Sequence, residues 1–235
     1  MWVHRKLAGR LGRASPLHLR ATAELAERVL LPGDPGRALL LAQELLEAPR
    51  MFNHHRGLWG YTGEAVSGGL LTIQSTGMGG PSAAIVIEEL IGLGARELVR
   101  AGTCGALGPE WELGAVLTVG EALAEDGASL GLGARGWVAA VPEREGARVA
   151  STDLFYARDD KEEAAARARW AAAGAVAVEM ECATLFTLAR LRGVRAAAVL
   201  TVSDVLDGPV DRQRISDEAL EEAARRLGHA ALALL

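Results

Sequence analysis

The chain has 235 residues, of which 50% are hydrophobic, 23% are charged and 4% are aromatic. This composition is typical of a globular protein and excludes a disordered chain. Since the formal net charge is −5, nucleic acid is not an expected partner. No apolar run approaches the roughly 20 residues of a membrane-spanning helix, so a membrane is not an expected partner either.

The N-terminal segment, residues 1–15, is basic but lacks the apolar region of a signal peptide. We predict that it is a poorly ordered extension and that residues 16–235 form one domain. The chain has two cysteines, Cys104 and Cys182, which make no disulfide framework. Neither cysteine lies at a metal-ligand spacing. We therefore expect a cytoplasmic protein without a bound metal.

Strand-like and helix-like segments alternate along the chain. The predicted strands are apolar and cover 28–34, 69–77, 97–107, 113–123, 175–178 and 194–204. The predicted helices cover 34–46, 80–95, 159–174, 182–193 and 215–235. The stretch 127–147 is predicted to be loop and short strand. This alternation predicts the α/β class, with a single-domain three-layer α/β/α fold and a largely parallel mixed central sheet.

In sheets of this kind, ligands bind beyond the carboxyl ends of the strands. Polar or glycine-rich segments follow the predicted strands at Gly33-Asp34, Thr76-Gly77, Arg100 to Gly105, Glu179 to Glu181 and Ser203-Asp204. Each segment is therefore a candidate for a functional site. Each also has an ordinary structural interpretation, such as a helix cap, a tight turn or a surface ion pair.

The stretch STGMGGPS (75–82) combines a strand end, a glycine cluster and a helix start. It could cradle an anion at the helix N-terminus, or it could be a tight turn with close helix packing. Gly77, Gly79 and Ser82 nearly match a dinucleotide fingerprint, whose acid would be Glu97. Glu97 begins a strand, whereas the ribose-binding acid of that fold ends one. A dinucleotide-binding oxidoreductase is therefore disfavoured.

An arginine inside an apolar strand is unusual, since arginine is rarely buried without a partner. Arg100 is such a residue, and Thr103 follows it among glycines that leave backbone N–H groups accessible. A guanidinium, a hydroxyl and bare amides suit phosphate, although a salt bridge to a neighbouring acid is an equal alternative. Gly33 and Arg37 could add to the same anion site.

Three acids lie just past apolar strands. Glu179 and Glu181 could bind paired hydroxyls of a sugar, or they could be solvated residues of a first helical turn. Asp204 could be a catalytic acid if burial keeps it protonated, or it could cap a helix. Taken together, an anion site, a diol site and a proton donor describe a sugar substrate that is attacked by phosphate or carries it.

From about Pro16 to the C-terminus, the chain resembles the family of purine nucleoside and uridine phosphorylases. The resemblance is carried by seven motifs in order, PGDPGRA, RGLWGYTG, STGMGGPSAAIVIEEL, VRAGTCGAL, STDLFY, VEMECATLF and TVSD. It implies a cytoplasmic homo-oligomer, such as a hexamer. Such an enzyme cleaves the glycosidic bond of nucleosides with inorganic phosphate as co-substrate and without a cofactor.

The resemblance also implies roles for particular residues. The phosphate site is expected to contain Gly33, Arg37, Arg100, Gly102 and Thr103, with Arg50 from a neighbouring subunit. The nucleoside site is expected to contain His18 from across a dimer interface, Phe155 under the base, Met180 and Glu181 at the ribose, and Glu179 and Ser203 in the lining. Asp204 is expected to protonate purine N7, assisted by Arg212, with Arg214 as the alternative.

Three features of the resemblance bear on the base preference. The segment 125–130 is similar to the uridine branch of the family, which slightly favours uridine. That branch also carries an insertion that grips uracil, and the sequence after Phe155 offers no equivalent of it. The uridine branch lacks an acid at the position of Asp204, so the resemblance there favours purines. Purine nucleosides are therefore expected, with a uridine phosphorylase or a nucleosidase of the same fold as alternatives. The set Arg37, Arg50 and Arg100 favours a phosphorylase over a nucleosidase. The presence of every expected chemical group disfavours an inactive nucleoside-binding protein.

Overall fold

The computed structural model describes residues 16–235, so the predicted extension at 1–15 lies outside the described residues. The strands are β1 (Arg28–Leu31), β2 (Leu46–Asn53), β3 (Gly60–Ala65), β4 (Leu70–Gln74), β5 (Glu97–Leu107), β6 (Val116–Ala124), β7 (Trp137–Ala139), β8 (Ala147–Ser151), β9 (Ala177–Glu179), β10 (Arg195–Leu206) and β11 (Gln213–Arg214). The helices are α1 (Pro35–Leu45), α2 (Gly80–Leu93), α3 (Gly127–Gly131), α4 (Asp160–Ala172), α5 (Cys182–Arg192) and α6 (Asp217–Leu232), with a 3₁₀ turn at His55–Gly57. Every predicted strand and helix is present.

The strands form one mixed sheet whose centre is parallel. Strands β4, β1, β5 and β10 lie side by side in that order, and all three of these pairings are parallel. Antiparallel strands flank them: β3 and β2 on one side, β6 and β11 on the other. Strands β8 and β9 pair with β6 and β5, which closes a ring of β10, β6, β8, β9 and β5.

Helices cover both faces of the sheet because successive strand residues point to opposite sides. Val29 and Leu31 belong to a buried cluster with α2 and α5. Leu30, between them, belongs to a second cluster with α1 and α6. The same alternation separates Leu98 from Val99 on β5. The three-layer α/β/α fold with a mixed sheet is confirmed.

Helix α1 begins as the sequence predicts. The Asp34 carboxylate accepts hydrogen bonds from the backbone N–H groups of Gly36, at 3.1 Å, and Arg37, at 3.2 Å. Pro35 occupies the first helical turn, where its missing N–H costs nothing. The cap thereby fixes Arg37 one turn beyond the carboxyl end of β1, at the edge of the sheet where ligands bind.

Two features differ from the prediction. The hairpin of β2 and β3 was not predicted. Its sequence shows no strong strand pattern, because β2 is an edge strand with Pro49 and a run of exposed residues. The stretch 127–147 contains a short helix, α3, where loop was expected. Its cap is Asp126, a buried carboxylate that accepts from Ser129 N–H at 2.8 Å and from the Thr184 hydroxyl at 2.7 Å. A five-residue helix is too short to show a periodic pattern.

Within residues 16–235, no helix is both long and apolar enough to cross a membrane. The same residues contain no group of three or more His, Cys, Asp or Glu side chains that could hold a metal ion.

Candidate active site

A cavity of about 510 Å³ opens toward the carboxyl ends of the parallel strands. Twelve of the fourteen predicted site residues line it: Gly33, Arg37, Arg100, Gly102, Thr103, Phe155, Glu179, Met180, Glu181, Ser203, Asp204 and Arg212. They come from segments scattered over most of the chain. The fold therefore brings the predicted anion, sugar and acid groups into one space.

The centre of the site is a buried charge cluster around Arg100. Its Nε donates to Glu179 Oε2 at 3.1 Å, and its Nη2 is ion-paired with Glu181 Oε2. Burial alone would lower the pKa of Arg100, but Glu181 and Glu179 together raise it, so the guanidinium stays charged. Arg100 therefore forms salt bridges with neighbouring acids and also lines the cavity in which phosphate is predicted to bind.

Gly102 is explained by its closeness to that arginine. A Cβ atom at Gly102 would lie 2.7 Å from Cζ of Arg100 and 2.9 Å from Cδ2 of Leu200. Such approaches do not occur between real atoms, so a side chain at this position would displace the guanidinium. Gly102 therefore leaves room for the Arg100 guanidinium beside its two carboxylates, and its backbone faces the cavity as well.

The acceptor sites of the Glu179 carboxylate are used by donors within the protein. Besides Arg100, its carboxylate accepts from the backbone N–H groups of Glu181, at 2.8 Å, and Cys182, at 3.0 Å. The Ser151 hydroxyl donates to its other oxygen. A carboxylate has about four acceptor sites, and these contacts fill them. Glu179 lines the cavity but acts as the group that orients Arg100 and the start of α5.

Glu181 is less completely bonded. Its Oε1 accepts from the backbone N–H of Gly79, and its Oε2 faces Arg100. Among residues 16–235, this carboxylate has one hydrogen bond and one ion pair, and the nearby backbone N–H of Met180 also lowers its pKa, so it has fewer close donors than Glu179. Burial raises the pKa of Glu181, Arg100 opposes this shift and Glu179 adds to it. Of the two glutamates, Glu181 is the one that can still accept hydrogen bonds from a ligand.

The glycine-rich stretch 75–82 is a tight turn whose Gly77 and Gly79 N–H groups donate to other groups of the protein. The N–H of Gly79 is used by Glu181, and the Ser82 hydroxyl donates to the Thr76 carbonyl at 2.6 Å. Glu97, the acid that a dinucleotide site would need, begins β5 and pairs with Arg195 at 2.9 Å. This end of β5 is opposite to the cavity, so the stretch supports no dinucleotide site.

Arg37 and Thr103 complete the side of the cavity nearest β1 and β5. Arg37 is half-buried, and burial lowers its pKa, which the carboxylate of Asp34 opposes. Together with Arg100, these residues offer two guanidinium groups and a hydroxyl within one wall. That donor set suits a tetrahedral oxyanion such as phosphate.

Asp204 lies on β10, the strand next to β5, where its backbone pairs with that of Gly105. It is 8% exposed, and the Ser203 hydroxyl donates to its Oδ2 at 2.7 Å. The backbone of Asp204 pairs with that of Arg214 on β11. Arg214 does not line the cavity, whereas Arg212 does. Of the two arginines left open by the sequence, Arg212 has access to the site.

The guanidinium of Arg212 lies 4.6 Å from the centroid of the Phe155 ring, a cation–π distance. Its Nη2 is 3.8 Å from Oε1 of Glu163 on α4. The ring of Phe155 also meets Tyr156 edge-on, with centroids 4.9 Å apart. Phe155 and Arg212 thus form one rim of the cavity.

His18 and Arg50 do not line the cavity. The Nδ1 of His18 is 2.7 Å from Oε1 of Glu89, and its side chain is half-buried. Arg50 lies exposed on the edge strand β2. Both residues were predicted to serve a neighbouring subunit, and that assignment stays a prediction.

Several lining residues were given no role from the sequence: Met78, Cys104, Thr152, Leu154, Glu163, Trp170, Val178 and Leu206. Most are apolar and are indistinguishable by sequence from core residues. Thr152 and Leu154 lie within the STDLFY motif, which was the available signal for them. Burial raises the pKa of the Cys104 thiol, so this residue offers no thiolate nucleophile.

A sequence profile of the phosphorylase superfamily matches residues 27–147 and 142–235 of this chain. The chain belongs to the phosphorylase superfamily. The resemblance predicted from the seven motifs is thereby confirmed.

Curated members of the superfamily match over most of the chain. Purine nucleoside phosphorylase DeoD-type from Caldanaerobacter subterraneus subsp. tengcongensis is 38% identical over 209 residues, which cover 81% of this chain and 88% of the relative. The DeoD-type enzyme from Geobacillus kaustophilus is 37% identical over 239 residues, covering 90% and 99%. The structure of uridine phosphorylase from Vibrio fischeri ES114 aligns with a TM-score of 0.76 at 24% identity, covering 90% and 92%. This structural likeness shows the phosphorylase fold alone.

Proposed function

We propose that the protein catalyses the phosphorolysis of purine ribonucleosides and deoxyribonucleosides to the free base and (deoxy)ribose 1-phosphate. One observation carries this proposal: the guanidinium groups of Arg37 and Arg100 line the same cavity as the carboxyl groups of Glu181 and Asp204. The relatives named purine nucleoside phosphorylase support the choice of reaction and base.

Phosphate is the nucleophile in this proposal. Arg37, Arg100 and the Thr103 hydroxyl hold its oxygens, with Gly33 and Gly102 allowing close approach of the backbone. One phosphate oxygen forms a bond to C1′ of the sugar as the C1′–N9 bond breaks. Positive charge builds on the sugar in this step, and the bound phosphate dianion stabilises it.

The sugar is proposed to bind at Glu181. The remaining lone pairs of its carboxylate accept from the 2′- and 3′-hydroxyl groups, while Met180 packs on the ribose. Glu179 is not proposed as a diol ligand, because Arg100, Ser151 and two backbone N–H groups already donate to its carboxylate. Its proposed role is to keep Arg100 in place.

The base is proposed to stack on Phe155 and to face Asp204. The electron pair of the broken C1′–N9 bond goes to the purine, and Asp204 gives a proton to N7, so the base leaves as a neutral molecule. The guanidinium of Arg212 then stabilises the aspartate that remains. Ser203 donates to the Asp204 carboxyl group and fixes its orientation.

The function is tested by incubating the protein with adenosine, inosine, guanosine and uridine, each with and without phosphate. Free base and sugar 1-phosphate are measured. Phosphate-dependent release of a purine is the expected result. Release of free ribose without phosphate would instead identify a nucleosidase, and release from uridine alone would overturn the assignment of the base and the role of Asp204.

Replacing Glu181 with alanine is expected to lower kcat/KM for adenosine by roughly 10²–10⁴-fold, because the two hydrogen bonds from the sugar to a charged group contribute about 1.5–3 kcal/mol each. The loss should be smaller with 2′-deoxyadenosine, which lacks one of the two hydroxyls. Steady-state kinetics on both substrates measure this difference. Equal losses on the two nucleosides, or near-normal kinetics on adenosine, would remove Glu181 from the sugar site.

We further propose that the enzyme is a homo-oligomer in which Arg50 and His18 complete the site of a neighbour. An Arg50→Met chain and an Asp204→Asn chain are each expected to be nearly inactive. When equal amounts of the two chains assemble at random, half of the neighbouring pairs contain one chain of each kind. In such a mixed pair, the chain that keeps Asp204 receives Arg50 from its neighbour, so one of the two sites is intact. About a quarter of all sites should therefore be restored. Activity after co-expression measures this restoration.

The matched control pairs Arg37→Met with Asp204→Asn. Both residues line the cavity of one chain, so every mixed site lacks one of them and no activity should return. Equal behaviour of the two mixtures would show that Arg50 acts within its own chain or not at all.

A further inference from the structure

Arg167 on α4 is a buried arginine outside the predicted site, with an exposed fraction of 6%. Its Nε and Nη2 donate to Glu163 Oε1 at 3.0 and 2.7 Å. Its Nη1 donates to the backbone carbonyls of Gly208, at 3.2 Å, and Asp211, at 2.8 Å, and Nη2 also reaches that of Val210, at 3.4 Å. One side chain thus joins a helix to three peptide groups of a loop.

That loop, residues 207–212, connects two parts of the proposed acid site. It follows β10, which carries Asp204, and it ends at Arg212 before β11. The loop is half-buried at its first residue and exposed after it. An exposed loop has few packing contacts to fix its backbone, so the bonds from Arg167 are well placed to do so.

Glu163 links the same arginine to the cavity. It lines the cavity wall, where Nη2 of Arg212 lies 3.8 Å away. That separation is longer than a hydrogen bond, whereas Arg167 holds the Glu163 carboxylate with two short ones. Arg167 therefore fixes Glu163 and the loop backbone firmly, and the Arg212 side chain is left able to exchange partners.

We propose that Arg167 is a positioning residue that anchors the backbone from which Arg212 reaches the leaving base. The inference rests on the proposed function, which gives Arg212 its place beside Asp204. A shift of about 1 Å in a group that acts in the transition state can cost roughly 10²-fold in rate. Loss of the anchor should therefore weaken the step that Arg212 assists and spare the steps that it does not.

The test compares guanosine with 7-methylguanosine, whose base already carries the positive charge that protonation at N7 would create. For Arg167→Met, kcat with guanosine is expected to fall about 10- to 100-fold, while kcat with 7-methylguanosine stays within about three-fold of wild type. Amide hydrogen exchange in residues 207–212 should also become faster in this variant, independently of any activity.

Two further variants distinguish loss of the Arg167 anchor from a general loss of stability or activity. Arg192→Met removes a part-buried arginine that pairs with both oxygens of Glu88 away from the cavity, and it should affect neither substrate selectively. Arg167→Lys keeps the charge beside Glu163 but lacks the planar fork for three carbonyls. Arg167→Lys should also lose activity on guanosine and keep it on 7-methylguanosine. This variant provides the test if Arg167→Met does not fold.

Equal losses on the two nucleosides in Arg167→Lys, or full activity on guanosine, would overturn the proposal. Unchanged exchange in residues 207–212 would do so as well. Failure of the proposed function is recognised separately, because the wild-type protein would then release no purine in a phosphate-dependent manner from adenosine, inosine, guanosine or 7-methylguanosine.

Discussion

Replacing Asp204 with asparagine is expected to slow the phosphorolysis of adenosine by roughly 10²–10⁴-fold, the usual contribution of general acid catalysis. Asparagine has nearly the same shape as aspartic acid, and its amide oxygen can still accept from the Ser203 hydroxyl. Since the amide cannot give up a proton to N7, the base must leave as an anion. The loss should appear in kcat, measured at saturating phosphate, with little change in the KM for phosphate.

A nucleoside with a cationic base provides the control for this variant. Cleavage of 7-methylguanosine needs no protonation at N7, so Asp204→Asn should retain most of its activity on this substrate. A uniform loss on adenosine and 7-methylguanosine would mean that Asp204 shapes the pocket and does not act as the acid. Unchanged turnover of adenosine would refute the role outright.

Replacing Arg100 with methionine is expected to have the largest effect on stability. Removing one partner of a buried ion pair typically costs about 3–5 kcal/mol, because the remaining charge is left without compensation. Here two buried carboxylates, Glu179 and Glu181, would lose their shared cation. The free energy of unfolding, measured by urea denaturation, should fall by about this amount at neutral pH, and phosphate should no longer protect the protein.

The loss should depend on pH in a definite direction. Burial already raises the pKa of Glu181, and Arg100 opposes that shift, so the variant should have a still higher pKa at this group. A carboxyl whose folded-state pKa is raised contributes stability that is present below its unfolded value, about 4.5, and is lost as the pH rises through the folded value. The difference from wild type should therefore shrink as the pH is lowered.

The double variant Arg100→Met/Glu181→Gln tests the physical cause. If the cost comes from an unpaired Glu181, then removing this charge as well should recover part of the lost stability, and the two effects should not add. Glu179 keeps its backbone and Ser151 donors in both variants. Additive losses would show that Arg100 stabilises the fold by packing alone.

The sequence by itself determined the main elements and most of the site. Continuous apolar strands such as 97–107 and a capped helix start at Asp34 are local patterns. Such patterns predict the secondary structure correctly when the tertiary packing favours the same structure. The seven motifs indicated the family, and twelve of the fourteen proposed residues line one cavity because strand ends meet at one edge of a parallel sheet.

Only the tertiary structure decided how the charged residues are used. The resemblance placed Glu181 at the ribose and Glu179 in the lining, but no spacing in the sequence gives the physical reason. The fold gives it, because Arg100, Ser151 and backbone N–H groups donate to Glu179, while Glu181 has fewer close donors. It likewise gave Arg212 access to the cavity instead of Arg214. It also placed Arg167 against the carbonyls of residues 208, 210 and 211, about forty positions away. Hydrogen bonds between distant segments depend on which side chains come together in the folded chain, and this cannot be predicted from local sequence patterns.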